Sequence, residues 1–116
     1  MIPRGVEIFV GVEPIDLRWS FDRLSGIAEE RIGRGARSGA LFVFFGKRRD
    51  AIKVLFFDGS GLCVFYKRLD RGNFRVPEAG AGDTSVAIDE RALDDMLDGI
   101  DVESQARRPR RTVRLH

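Results

Sequence analysis

Apolar and polar positions alternate along this chain in two distinct rhythms. Val6-Glu7-Ile8-Phe9-Val10 is apolar and β-branched, which predicts a strand ending near Gly11, with Glu13-Pro14 in the loop that follows. Leu17, Phe21, Leu24 and Ala28 then recur at spacings of 4, 3 and 4. That is the apolar stripe of a helix, capped at its start by Asp16, running to about Ile32 and stopped by Gly33 and Gly35. On its wet side Arg18 and Asp22 stand four apart and are expected to pair. Trp19 points away from the stripe, either toward a partner or as a cover over a neighbouring strand.

The rhythm changes after the basic connector GRGARSG, Gly33 to Gly39, which reads as flexible. The connector has glycines but no preceding strand, and it lacks the Lys-Ser/Thr pair of a phosphate loop, so a nucleotide site there is not expected. Three strands follow, Leu41–Phe45, Ala51–Phe57 and Leu62–Tyr66 or slightly beyond, joined by GKRRD and DGSG turns. Their order predicts an antiparallel meander. A short strand is expected at Phe74–Val76 before Pro77, and Glu78 to Asp83 reads as a small-residue loop. Asp89 caps a second helix, Glu90 to Asp98, which buries Leu93, Met96 and Leu97, exposes Glu90, Asp94, Asp95 and Asp98, and stops at Gly99.

Pairing within the meander follows from the DGSG turn. If Phe57 faces Leu62, then Leu55 faces Val64 and Lys53 faces Tyr66. Alternation then assigns Phe42, Phe44, Ile52, Val54, Phe56, Cys63 and Phe65 to one face, to be covered by the first helix. The other face holds Leu41, Val43, Phe45, Lys53, Leu55, Phe57, Val64, Tyr66 and Arg68. The bland expectation is that the second helix covers this face and the charges solvate the turns.

Strand direction gives those charges a second meaning. Lys47, Arg48, Arg49, Lys67, Arg68 and Arg71 gather at one end of the sheet, with Lys53 and Tyr66 beside them and the Asp58 turn at the other end. Such a rim suits phosphate groups, and each phosphate neutralised makes affinity salt-dependent.

Composition sharpens this picture. The chain has 116 residues, one domain's length, with 43% hydrophobic and 33% charged residues. Residues 1–103 carry 15 basic and 18 acidic groups, a formal charge of −3, whereas five arginines fall in the last ten residues. The basic character therefore resides in a tail, residues 104–116, which includes Arg107, Arg108, Arg110 and Arg111 and reads as disordered. The expected architecture is α+β: a single small domain, residues 1–103, with an antiparallel meander sheet and two short helices, followed by the Arg-rich tail.

Several chemistries find no footing. The lone Cys63 permits no internal disulfide and is expected as a small buried apolar residue. His116, the sole histidine, is terminal, so neither a zinc site nor an activated serine is expected, and the chain is read as non-enzymatic and without a cofactor. No membrane-length apolar run or secretory leader is evident, which makes the cytoplasm the expected compartment.

These blocks also resemble a known family. Asp16-Leu17-Arg18 with Ser20-Phe21-Asp22-Arg23-Leu24, the long run from Gly39 to Phe74 containing LFVFFGKRRDAIKVLFFDGSG and YKRLDRG, and Ile88 to Asp101 follow in order the three blocks of the accessory TnpB (Orf-two-like) proteins of IS66-type insertion sequences. Trp19, Phe57 and Val76 depart from the residues usual in that family. The resemblance implies an accessory role in DNA transposition beside a separate, larger transposase, and no nuclease activity for this chain. Two modes of action stay open. One is binding to DNA, or to the transposase–DNA complex, through Lys47, Arg48, Arg49, Lys53, Tyr66, Lys67, Arg68, Arg71 and the tail. The other is docking of the transposase on the apolar second face, Trp19 and the acidic helix.

Overall fold

The computed structural model describes residues 5–99. The tail residues Arg107, Arg108, Arg110 and Arg111, with the expected tail itself, lie outside the described residues. Five strands form one sheet: β1 (Ile8–Gly11), β2 (Leu41–Phe45), β3 (Ala51–Phe57), β4 (Leu62–Arg68) and β5 (Ser85–Ile88), in the order β4-β3-β2-β1-β5. The meander β2-β3-β4 is antiparallel as expected, with Phe57 opposite Leu62, Leu55 opposite Val64 and Lys53 opposite Tyr66. The sheet as a whole is mixed, however, because β1 runs parallel to β2. A parallel neighbour requires a crossover, and residues 12–40 supply it together with the first helix.

β5 was not foreseen. It lies antiparallel to β1, with Ile8 opposite Ile88 and Val10 opposite Val86, and uses a four-residue stretch between the small-residue loop and the second helix. The strand expected at Phe74–Val76 is absent. Phe74 instead anchors that segment by a buried ring 5.8 Å from the ring of Phe45, and its backbone N–H donates to the Arg49 carbonyl at 2.6 Å.

Face assignment within the meander also needs correction. The β2–β3 turn closes with Gly46 N–H donating to the Ala51 carbonyl, leaving four residues in the loop, and puts Phe42 opposite Leu55 and Phe44 opposite Lys53. Phe42 and Phe44 thus share a face with Lys53, Leu55 and Val64, whereas Val43 and Phe45 share one with Ile52 and Val54. A one-residue change of loop length flips every side chain of a strand. Arg49 takes the left-handed conformation, φ 59°, that lets this loop turn.

Each face has its own helix. The first, α1 (Phe21–Ile27), continues as a π-helical turn over Ala28–Ile32 and ends at Gly33, φ 82°. Leu24, Ile27 and Ala28 pack over Phe42, Phe44 and Leu55, joined by Ile15, Ala36 and Ala40. Ala36 of the connector is thereby buried, as is Ala40 just after it, and Arg34 reaches Glu7 and stacks over Phe9, so the glycine-rich connector is tied to the sheet at two points. The second helix, α2 (Glu90–Leu97), packs Leu93 and Met96 on the opposite face against Val43, Phe45, Ile52 and Val54. Its start is as expected, with the Asp89 carboxylate accepting from Ala92 N–H at 2.8 Å, and Gly99 follows it at φ 77°.

The start of α1 is not. Asp16 caps no helix; its carboxylate accepts from Arg18 N–H at 2.9 Å and pairs with the Arg18 guanidinium at 2.6 Å. Arg18 is therefore held by the residue two before it and not by Asp22. Phe21, expected on the apolar stripe, is 45% exposed. Trp19 is half-buried against the α1 core with the Arg23 guanidinium 4.7 Å from its ring, which is the cover role.

At the opposite end of the sheet the Asp58 carboxylate accepts from Ser60 N–H, Ser60 Oγ and Gly61 N–H. The Ser60 and Gly61 N–H donors hold it down, from 3.8 to about 2, and the Arg18 side chain does the same for Asp16. Both folded values lie below the unfolded one, so the stabilisation is present above about pH 4 and is lost as pH falls toward about 2. The urea midpoint should fall across that window, and less steeply in Asp58→Asn, which accepts the same bonds without titrating. Equal slopes would remove Asp58 from the acid transition.

Candidate nucleic-acid interface

The basic end of the sheet is built by two backbone ties and one from a side chain. Arg68 lies opposite Ala51 at the end of the β3–β4 ladder, Leu69 N–H donates to the Asp50 carbonyl at 2.8 Å, and Asn73 Nδ2 donates to the Arg48 carbonyl at 2.6 Å. These bring the 47–50 turn, the end of β4 and the 71–74 loop together, as strand direction implies. Lys47, Arg48, Arg49 and Arg71 are exposed there, and none makes an ion pair among the described residues.

An open cleft of ≈ 500 Å³ runs along this end. Pro14, Ile15 and Leu17 line it from the crossover, and Lys47, Arg48 and Arg68 line it from the sheet. Asp16 and Asp50 line it as well. Asp16 is already paired with Arg18, so three basic side chains, two from the turn and one from the end of β4, stand there against the single carboxylate of Asp50. The Arg68 guanidinium donates to the Tyr66 hydroxyl at 3.1 Å, and this bond is the main cause of its raised pKa.

Two expected members of the rim are committed elsewhere. Lys53 is 6% exposed, and its ammonium donates to the Leu17 carbonyl at 2.7 Å and the Trp19 carbonyl at 2.6 Å. The Tyr66 ring lies 4.9 Å from that ammonium. Lys53 thus ties the 14–19 loop to the sheet. Lys67 turns to the α2 face, where its ammonium donates to the Leu97 carbonyl at the helix end. Tyr66 itself is 48% exposed and shares the face of Arg68.

Residues from the crossover loop were not foreseen in the site. Ile15 forms an isolated bridge to Gly46, with its N–H donating to the Phe45 carbonyl at 2.8 Å, and this bond places the loop against the basic turn. A lysine inside an otherwise apolar strand, AIKVLFF, was the available signal that some backbone must come to meet it. Cys63 is half-buried rather than fully buried, and burial, with Asp58 nearby, pushes its thiol up, away from the reactive thiolate. Among the described residues no group of three or more His, Cys, Asp or Glu could hold a metal ion, and no helix is long and apolar enough to cross a membrane.

The family model of IS66 Orf2-like proteins matches residues 6–107, which takes in every element of the sheet and both helices. The chain belongs to that family. Two relatives of this Orf2-like chain are proteins of Sinorhizobium fredii. The uncharacterized protein y4hO is 38% identical over 103 residues, covering 87% of this chain and 88% of that protein. The uncharacterized protein y4jC is 29% identical over 106 residues, covering 91% and 89%. No solved structure matches the Orf2-like chain significantly.

Proposed function

We propose that this Orf2-like chain is a non-enzymatic accessory factor of insertion-sequence transposition that binds DNA phosphates at the basic end of its sheet. The transposition role rests on the family match over residues 6–107. The DNA-binding role rests on one observation: Lys47, Arg48 and Arg68, from a turn and a strand end, line a single open cleft. Arg49 and Arg71 extend the same charge beside it, and the tail arginines add a sequence-independent contribution. Lys53 and Lys67 are left out of the binding set because backbone carbonyls occupy their ammonium groups. The docking alternative loses two of its supports, since the residues expected on the apolar second face are covered, Val43 and Phe45 by α2 and Leu55 and Val64 by the first helix, and Trp19 packs against the α1 core.

The test is a fluorescence-anisotropy titration of labelled duplex at several salt concentrations. Combined Lys47→Ala, Arg48→Ala and Arg68→Ala should flatten the log–log salt slope by about 1 for each phosphate no longer neutralised, and weaken binding most at low salt. Arg49 is kept, because its positive φ would confuse a binding loss with a turn defect. An unchanged slope and affinity would overturn the reading, and co-purification with the transposase after nuclease treatment would then favour protein docking.

A further inference from the structure

We propose that the chain pairs with a second copy of itself along the open edge of β4, antiparallel and about a twofold axis at Phe65. The strand order leaves β4 and β5 as the two edges. β5 has only four residues, the short kind of edge that resists pairing. β4 has seven, LCVFYKR, with no proline or glycine, and carries two of the three large exposed hydrophobic residues, Phe65 at 42% and Tyr66 at 48%. Nothing among the described residues pairs with its outer side.

Hydrogen-bond parity decides which backbone groups that side offers. Asp58 N–H donates to the Gly61 carbonyl at one end of the β3–β4 pair, and Leu69 N–H donates to the Asp50 carbonyl at the other. Odd-numbered residues of β4 are thereby turned toward β3, and Leu62, Val64, Tyr66 and Arg68 present N–H and C=O groups outward. An antiparallel second copy using the full strand places Val64 opposite Tyr66 of the second copy and Leu62 opposite its Arg68. Phe65 then meets Phe65 of the second copy on the axis, in a non-hydrogen-bonded pair where side chains approach most closely.

Charge selects a copy of this same strand in this direction. β4 begins beside the Asp58 turn and ends in Lys67-Arg68. Antiparallel pairing brings the basic end of each copy to the acidic turn of the other, whereas parallel pairing sets like charges side by side. The hydrogen bonds that Asp58 accepts keep its carboxylate ionised near neutral pH. The strand is thus its own electrostatic complement, and two copies join their sheets into one. This pairing does not depend on the DNA-binding reading.

Sedimentation velocity on the full chain over the micromolar range should show a monomer–dimer equilibrium. Val64→Pro removes an outward N–H and no bond of the β3–β4 ladder, so it should raise the dimer dissociation constant by roughly tenfold or more with an unchanged circular dichroism spectrum. Should that variant fail to fold, Phe65→Lys at an exposed position sets two like charges on the axis and should act alike. In a Cys63→Ala background, Phe65→Cys should form a disulfide-linked dimer under mild oxidation, while Leu62→Cys, far from its own copy in this register, should not. A chain that stays monomeric throughout, a dimer untouched by both substitutions, or equal crosslinking at 62 and 65 would each overturn the proposal.

Discussion

Replacing Lys53 with Ala is expected to lower stability by about 3 kcal/mol and the melting temperature by roughly 15 °C. The ammonium donates at 2.7 and 2.6 Å to the carbonyls of Leu17 and Trp19, two groups of a loop that has little regular structure of its own. Hydrogen bonds to a charged donor contribute about 1.5–3 kcal/mol each, and removing the donor strands two acceptors at the edge of the α1 core. Partial rehydration of those carbonyls keeps the total below the simple sum. Lys53→Met keeps most of the apolar stem, so it separates the ammonium from the packing and should lose nearly as much. Urea and thermal unfolding of both variants measure it; a loss of less than about 1 kcal/mol in either would mean that the loop is held by other contacts.

The second large effect concerns the same loop from its other side. A Cβ added at Gly46 would lie 2.8 Å from Leu17 Cδ1 and 2.9 Å from its Cγ, closer than carbon atoms approach without displacement. Gly46→Ala should therefore cost about 1–3 kcal/mol by overpacking. Leu17→Ala clears that space while losing its own packing against the α1 core. The double variant should be more stable than the sum of the single losses allows, by about 1 kcal/mol, as for residues in direct contact. Strict additivity in denaturant unfolding would show that the crossover loop yields freely, and that Ile15 and Lys53 alone seat it on the basic turn.

These two expectations meet at the point where sequence reasoning was weakest. Leu17 and Phe21 fit a helical stripe, and Asp16 fits an N-cap, yet residues 16–19 form a turn closed by Asp16 and held by Lys53. A local periodicity reports which side chains are apolar; it does not report that a lysine 36 residues away will claim the backbone carbonyl of Leu17. β5 was hidden for a related reason, since four residues carry too little pattern and its only partner, β1, lies far off in the chain. The two faces of the meander were mis-assigned because the parity of β2 depends on how many residues the basic turn absorbs.

What was legible had local causes. The DGSG turn sets the β3–β4 register over the full strand, Asp89 caps α2, and Gly33 and Gly99 take the positive φ that ends helices. The gathering of Lys47, Arg48, Arg49, Arg68 and Arg71 at one end was readable too, because antiparallel direction alone determines which turn lies beside which strand end. By itself, then, the sequence determined the meander, the second helix, the family and the end of the sheet where positive charge collects. Only the tertiary structure decided that Lys53 and Lys67 are spent on backbone carbonyls while Lys47, Arg48 and Arg68 line a cleft. A side chain's charge is a property of its residue, but its availability depends on what the rest of the chain brings within hydrogen-bonding distance.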